Sequence, residues 1–342
     1  MKATTFSLGP RQVGAGSPCF VLACVGPAHA GSADAALRML DAAFKMGADG
    51  IAFQIFRAEL LVVRRHPERQ GLDALELEPA AWRRVLKAAR GSGMAVVAEV
   101  FDLPSLDLAS EGEVDGLELH ATDMDNPDFI RAVGAPGRPV LMATTAVSSE
   151  SLADALDLAG PAPVGLVHGP DAIPTAVEEI RFRDLESWKE RYSVPLGFRD
   201  HTDGGSAFAL LAPALAAVHG ADLVEKRFVL DRRGKALDHP SALGPEDFYR
   251  MVELLRQAER AFGDAVVSGE DAGRRHRIAA RSIVASALIP RGHVLTAEML
   301  AFKRTDARFP SGFAPRDAHR VIGRRAARPI QADEVIREEM LE

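Results

Sequence analysis

Short apolar runs alternate with amphipathic segments along the chain from about residue 18 to residue 262. The apolar runs contain almost no polar residues, which is typical of parallel strands that are buried on both faces. They predict eight strands, at residues 19–25, 50–53, 95–100, 116–119, 139–144, 164–167, 194–197 and 223–228.

The segments between these runs have the apolar spacing of helices. They predict helices at residues 33–46, 79–92, 126–133, 148–159, 184–192, 206–219 and 245–261. Because a parallel strand pair needs a crossover connection, this order predicts a parallel α/β fold. Eight strands favour a closed (β/α)₈ TIM barrel over an open doubly wound sheet. The turn at residues 26–31 also lacks the G-x-G-x-x-G pattern of open dinucleotide-binding sheets.

The regular alternation stops after residue 262. Residues 263–276 are interrupted by Gly and charged side chains and predict a linker between a barrel domain, residues 1–262, and a small module, residues 277–342. The module has short β-type runs of its own, so we expect a β-rich fold. Because so small a module has little core, we expect it to gain stability by docking in an oligomer.

Composition narrows the possible partners and locations. The 342 residues are 47% hydrophobic and 26% charged, an ordinary globular composition, and the net charge of -7 gives no reason to expect nucleic acid or an anionic membrane as a partner. No apolar run reaches the ~20 residues of a membrane helix, and the N-terminal residues lack the apolar core of a signal peptide. Cys19 and Cys24 point to opposite faces of one predicted strand, so we expect no disulfide and a cytoplasmic location.

Polar segments follow the last two predicted strands where their apolar runs stop. Residues 197–202 read Gly-Phe-Arg-Asp-His-Thr, and residues 224–228 read Val-Glu-Lys-Arg-Phe. In a TIM barrel the carboxyl ends of the strands carry the active site, so these side chains are the first candidates for function. The imidazole of His201 has a lone pair for a metal, whereas the guanidinium of Arg227 has none.

The two segments resemble the S-D-H-T and E-K-H-F segments of the sialic acid synthase family. The runs R-S-I-V-A, I-P-R-G-H-V-L-T and I-G-R-R-A-A of the module are similar to the SAF, or antifreeze-like, domain that ends those proteins. The resemblance covers nearly the whole chain. It implies a TIM barrel followed by a small β-rich SAF domain, and a domain-swapped homodimer in which each SAF domain covers the partner's barrel mouth.

The resemblance also implies a reaction. In that family phosphoenolpyruvate condenses with an N-acylamino sugar to give a nonulosonic acid for surface or flagellar glycans. A divalent metal, Mn²⁺ or Mg²⁺, is held by two histidines, of which His201 is retained here as a metal-binding and catalytic candidate. Gln54 and His29 correspond to substrate-binding positions, and Asp238 to a catalytic position that orients the sugar. Arg304 corresponds to an arginine that reaches the acyl group of the sugar in the partner's site.

Several positions depart from the family pattern. Arg227 stands where the family has its second metal-binding histidine, so we expect no tightly bound metal. Two family lysines correspond to Ala52 and Leu117, and two family glutamates to Cys24 and Thr122. Each lost charge-assisted hydrogen bond to phosphoenolpyruvate costs about 1.5–3 kcal/mol, so the expected cradle for this anion is weakened.

The two arginines at the strand ends have two interpretations. Arg199, which replaces a family serine, and Arg227 can form a substrate-binding clamp for an anion at the barrel mouth. Alternatively, they can pair with Asp200, Glu225 or another carboxylate and hold the barrel end together. The residue types favour neither interpretation, because Arg is preferred both for phosphate and for buried ion pairs.

Two further candidates lie at predicted strand ends. Cys24, His120 and His201 are of the residue types that hold zinc, although they come from separate strands without a local ligand spacing. Glu99 ends the third predicted strand and offers a carboxylate at the barrel mouth.

Three functions remain open from these residues. The first is a synthase that condenses phosphoenolpyruvate with an N-acylamino sugar. The second is an inactive paralogue, which binds a sugar or an anion or acts as a partner subunit. The third is a barrel enzyme in which Arg199 and Arg227 take over the electrophilic role of the metal. The fold does not decide among them, since one fold hosts many functions.

Overall fold

The computed structural model describes residues 5–170, 172–234, 239–263, 280–305 and 312–342. Two compact units divide after Gly263. Asp238 and most of the predicted linker, residues 264–276, lie outside the described residues.

The first unit opens on an antiparallel hairpin and continues as a barrel. The hairpin consists of β1 (Thr5–Leu8) and β2 (Arg11–Gly14). The barrel strands are β3 (Phe20–Cys24), β4 (Gly50–Ile55), β5 (Ala95–Val100), β6 (Gly116–Leu119), β7 (Val140–Ala143), β8 (Val164–His168), β9 (Leu196–Asp200) and β10 (Leu223–Arg227). Neighbouring strands are parallel, and β10 pairs with β3 to close the barrel. The eight predicted strands and the predicted TIM barrel are therefore confirmed.

The described part of the first unit has eleven α-helices, of which the longer ones pack on the outside of the barrel. They are α1 (Ala33–Lys45), α2 (Ala58–Leu61), α3 (Arg69–Leu75), α4 (Pro79–Arg90), α5 (Leu103–Glu111), α6 (Pro127–Gly134), α7 (Ser149–Leu158), α8 (Val177–Ile180), α9 (Arg183–Tyr192), α10 (Phe208–Val218) and α11 (Pro245–Phe262). The seven predicted helices are present within two residues at each end, whereas α5 and the short α2, α3 and α8 were not predicted. The start of α5 is fixed by Asp102, whose side chain accepts a hydrogen bond from the Ser105 amide at 2.7 Å.

The apolar side chains of the barrel form an outer and an inner layer. Alternate strand residues, such as Phe198 and Val224, pack outwards in one cluster with the helices. Residues between them, such as Leu22, Ala52 and Val97, form an inner cluster inside the barrel. The hairpin contributes Phe6, Leu8 and Val13 to this inner cluster, where they meet the first residues of several strands. The hairpin therefore closes the amino end of the barrel and leaves the polar strand ends at the other.

The second unit is small and rich in β structure. Strand β11 (Arg281–Ala285) pairs antiparallel with β12 (Leu300–Arg304), and isolated bridges join further segments. Its own core includes Ile283, Leu295 and Ile330. The predicted β-rich module is confirmed, and β11 matches the predicted run at residues 281–285.

Two predictions about the chain as a whole can be compared with the structure. Cys19 and Cys24 are both buried and not in a disulfide, and they pack in the outer and the inner layer respectively. Within the described ranges, the helices are all too short or too polar to cross a membrane.

Candidate functional site

Charged and polar side chains occupy the inner positions at the carboxyl ends of five barrel strands. Strand alternation places them, because the residues on either side of each face outwards, in the apolar layer except for Asp200 and Lys226, which pair with each other. The set consists of Gln54 on β4, Glu99 on β5, Glu118 on β6, Arg199 on β9, and Glu225 and Arg227 on β10. The side chains are buried except for that of Gln54, which is half-buried. This end of a TIM barrel is where active sites form, so the set is the candidate site.

Two carboxylates bind the guanidinium of Arg199. Its Nε donates to Glu225 Oε2 at 3.1 Å, and its Nη2 donates to Glu118 Oε1. Burial alone lowers the pKa of Arg199, but the neighbouring Glu225 and Glu99 outweigh burial and raise it. Burial alone raises the pKa of Glu225, but Arg199 and Arg227 outweigh it and hold that pKa below its ordinary value. Of the two interpretations of Arg199, the structure supports the ion pair within the barrel.

Arg227 is oriented differently within the same interior. Its Nη1 donates to the Sγ of Cys24 at 3.2 Å, and the side chain is 6% exposed. Cys24 lies opposite both Arg227 and Ala52 in the pairing of neighbouring strands. The side chain of Gln54, two residues beyond Ala52, donates to Glu99 Oε2 at 2.7 Å. Gln54, Arg199 and Arg227 are therefore brought to one end of the barrel.

His201 directly follows β9 and is buried at the same end. Its Nδ1 lies 3.2 Å from the carbonyl oxygen of Pro170, and its Nε2 has no hydrogen-bond partner in the part of the chain that the structure describes. Burial, together with the charges of Arg227 and Arg199, lowers its pKa to about 3. At neutral pH the imidazole is therefore uncharged and held next to cations.

His29 ends a short 3₁₀ turn after β3 and is also buried. Its ring packs edge-on against Trp82 with the centroids 5.6 Å apart, and its Nδ1 accepts from the Gly31 amide at 3.2 Å. Burial lowers its pKa to about 4. These contacts hold His29 against α4.

The divalent metal that the resemblance implies needs several side-chain ligands close together. Among the described residues, no group of three or more His, Cys, Asp or Glu side chains could hold a metal ion. This applies to Cys24, His120 and His201, which are not assembled into a site. Arg227 lies close enough to His201 to help lower its pKa, and its guanidinium has no lone pair for a metal. The described residues therefore do not fit a divalent metal.

A second buried ion pair lies on the outer side of the same strands. Lys226 Nζ is 2.9 Å from Asp200 Oδ2, and both side chains are fully buried. The other oxygen of Asp200 accepts from the amide and the hydroxyl of Thr202. Asp200 therefore pairs with Lys226, and the alternative that pairs it with Arg199 or Arg227 has no support here.

Sequence reasoning missed Glu118. The resemblance places the family lysine of this strand at Leu117, but Leu117 and Leu119 pack outwards with the helices. A charged group that serves the barrel interior must come from an inner position, which on β6 is Glu118. The sequence pattern of residues 116–119 indicated this inner position, because Glu118 is a single acid flanked by apolar residues.

Two predicted site residues lie elsewhere. Asp238 is outside the described residues, so its predicted role stays a prediction. Arg304 ends β12 in the second unit, where it is exposed and pairs in register with Arg281.

Comparisons with known proteins agree with this architecture. The sequence model of the NeuB family matches residues 39–267, and that of the SAF domain matches residues 280–342. The pseudaminic acid synthase of Campylobacter jejuni is 26% identical, over 93% of this chain and 95% of its own length. The human N-acetylneuraminate-9-phosphate synthase is 25% identical, over 97% of this chain and 95% of its own length.

A solved structure shares the fold. The crystal structure of the N-acetylneuraminic acid synthetase from Leptospira borgpetersenii, in complex with citrate, superposes with a TM-score of 0.74 at 22% identity. The similarity covers 81% of this chain and 97% of that one. The family named by these matches is the one that the sequence motifs resemble.

Proposed function

Because the chain belongs to the NeuB family, we propose that it works in the biosynthesis of nonulosonic acids, the class of sugars that includes sialic acids. Within that pathway we propose that its barrel binds an N-acylamino sugar and does not carry out metal-assisted condensation. The names of its relatives, among them synthases of pseudaminic acid and of N-acetylneuraminate 9-phosphate, support the pathway.

One observation carries the second half of the proposal, namely the position of Arg227 next to His201. A condensation on a sugar aldehyde needs an electrophile that polarises the carbonyl, and in this family a divalent metal is expected to supply it. Burial, with the charge of Arg227 nearby, lowers the pKa of His201 to about 3, and the guanidinium of Arg227 offers no lone pair to a metal. A metal ion therefore finds a single candidate imidazole there.

The remaining residues suit a sugar better than they suit the metal. The amide of Gln54 can both donate hydrogen bonds to a sugar and accept them, and the carboxylates of the barrel interior can accept them from hydroxyl and amide groups. Asp238 and Arg304 are proposed to contact the sugar as they do in the family, with Arg304 supplied by the second subunit of a domain-swapped homodimer. A cytoplasmic location is part of the same proposal.

A phosphate-release assay tests the proposal. Purified protein is incubated with phosphoenolpyruvate, a panel of N-acylmannosamine-type sugars and Mn²⁺, beside an active synthase of the family as control. We expect no sugar-dependent phosphate release, and saturable binding of at least one sugar by calorimetry. Sugar-dependent phosphate release would overturn the proposal, and so would the absence of binding by every sugar in the panel.

A second candidate function is favoured by the hydrogen bond from Arg227 to Cys24, which orients the guanidinium inside the barrel. A fixed guanidinium can stabilise a developing oxyanion without a metal. If the protein were such an enzyme, phosphate release would persist in EDTA and would be lost in Arg227→Gln. The same assay therefore separates this candidate from both the metal-dependent synthase and the sugar-binding protein.

A further inference from the structure

The contact between Glu118 and Arg199 crosses the inside of the barrel. Strands β6 and β9, which carry these residues, are separated by β7 and β8 in the strand order. The second carboxylate on Arg199 comes from Glu225 on the neighbouring strand β10. Arg199 is thus bound by Glu118 from across the barrel and by Glu225 from the neighbouring strand. Its charge is therefore compensated in the absence of a ligand.

The charge balance of the strand-end set is negative. Three carboxylates, from Glu99, Glu118 and Glu225, face two guanidiniums, from Arg199 and Arg227. An anion that enters this interior meets one excess negative charge in surroundings of low dielectric constant, where repulsion is stronger than in water.

The same set has unused acceptors. One oxygen of each of the three glutamates, Oε1 of Glu99, Oε2 of Glu118 and Oε1 of Glu225, is buried without a hydrogen-bond partner among the residues placed by the structure. The Nε2 of His201, a residue that is 4% exposed, also has no hydrogen-bond partner among the placed residues. Buried acceptors without donors are costly, so a ligand with several hydroxyl or amide donors would satisfy them.

We propose that Glu118 is a specificity-determining residue that closes the barrel to anionic substrates and selects an uncharged, hydroxyl-rich ligand. It does so in two ways, by occupying the guanidinium of Arg199 and by supplying the excess negative charge. The choice of a sugar as the uncharged ligand rests on the proposed function, whereas the exclusion of anions does not. A residue that works against an unwanted ligand in this way gives specificity by repulsion.

The test is a gain of anion binding in Glu118→Gln. The amide keeps the shape of the side chain and one acceptor for Arg199, but removes the excess charge. Dissociation constants for phosphoenolpyruvate and for inorganic phosphate are measured by calorimetry at low ionic strength. We expect both anions to bind about ten- to thirtyfold more tightly than to the wild type, as one charge at about 8 Å in a protein interior predicts. The affinity for an uncharged sugar should change about threefold or less, the size of one weakened hydrogen bond.

Glu111→Gln is the matched control. Glu111 forms a comparable pair with Arg83 at 2.9 Å, but both side chains are exposed on α4 and α5. This variant should leave anion affinity unchanged. A purely structural ion pair between Glu118 and Arg199 would alter the melting temperature of Glu118→Gln without strengthening anion binding, and that result would overturn the proposal.

A second variant keeps the proposal testable if Glu118→Gln does not fold. Glu99→Gln removes one negative charge from the same interior without breaking a bond to Arg199, since Glu99 bonds Gln54. It should also tighten phosphate binding, and an unchanged affinity would contradict the charge argument. If wild type and variants all fail to bind sugars while the variants gain anion binding, the proposed function fails and the exclusion of anions stands.

Discussion

At the scale of single residues, the chemistry of the His201 imidazole depends on its neighbours in the barrel as well as on its sequence motif. The Asp-His-Thr motif predicts a metal ligand at a strand end, and the structure does place His201 at the carboxyl end of the barrel. Burial, together with the charges of Arg227 and Arg199 nearby, lowers its pKa to about 3. The neutral imidazole keeps a lone pair that can accept a hydrogen bond from a donor group of a ligand.

This environment predicts a specific dependence of stability on pH. In the unfolded chain the pKa of His201 returns to about 6.5. Below that pH the imidazole therefore binds a proton in the unfolded state but not in the folded state. The free energy of unfolding should therefore fall as the pH is lowered from about 6.5 towards 3, by about 1.4 kcal/mol per pH unit from this residue. His29, with a pKa lowered to about 4, should add to the slope in the same direction.

Urea unfolding of wild type and His201→Gln between about pH 7.5 and pH 5 measures this slope. The variant should lose part of the acid sensitivity, because glutamine does not titrate in either state. Parallel pH dependences for the two proteins would show that His201 is not held neutral by the fold.

The inner position of Glu118 marks the limit of motif matching at this scale. Residues that matched a family motif, such as Gln54 and His201, could be assigned to the barrel mouth from sequence. Glu118 matches no motif, and its role arises only when strand alternation and the closed barrel bring it to Arg199 on a distant strand. Such a contact depends on tertiary geometry, so it cannot be predicted from the sequence around Glu118 or from the sequence around Arg199.

At the scale of elements, the barrel strands were predictable because burial on both faces makes them continuously apolar. The hairpin β1–β2 was not predicted, since a short N-terminal alternation such as Thr5–Leu8 is too brief to distinguish from a loop. Helix α5 was missed because its apolar face is weakly defined, although Asp102 and Ser105 mark its start. Both missed elements are held by packing against the barrel rather than by a strong pattern of their own.

The hairpin should therefore contribute measurably to barrel stability. Leu8 is fully buried in the inner cluster at the amino end of the barrel, and a side chain at Gly116 would contact its Cδ1. Leu8→Ala should lower the free energy of unfolding by about 2–5 kcal/mol, the range for a buried leucine. Sugar binding at the opposite end should be unchanged in the folded variant.

Leu60→Ala is the control for this measurement. Leu60 lies on the short helix α2 and is 55% exposed, so its truncation should cost far less. Equal losses for the two variants in chemical denaturation would mean that the hairpin does not close a packed barrel end.

At the scale of the whole molecule, a SAF unit follows a barrel that belongs to the NeuB family. The core of the second unit is small, which favours docking on a larger surface. If that surface is the partner's barrel, as in the proposed swapped homodimer, then each sugar site combines a barrel from one subunit with Arg304 from the other. Symmetric dimers of this kind have two equivalent sites.

Mixing two defective variants tests this arrangement. Arg304→Ala damages the SAF contribution to a site, and Gln54→Ala damages the barrel contribution, so each homodimer should bind sugar poorly. After subunit exchange, a mixed dimer contains one site with both residues intact, and random mixing should restore roughly a quarter of the wild-type sites. Calorimetric stoichiometry counts the restored sites, and light scattering must give twice the 36.7 kDa mass of one chain. A dimer without recovery would place Arg304 in its own subunit's site or outside any site, and a monomer would remove the swapped arrangement altogether.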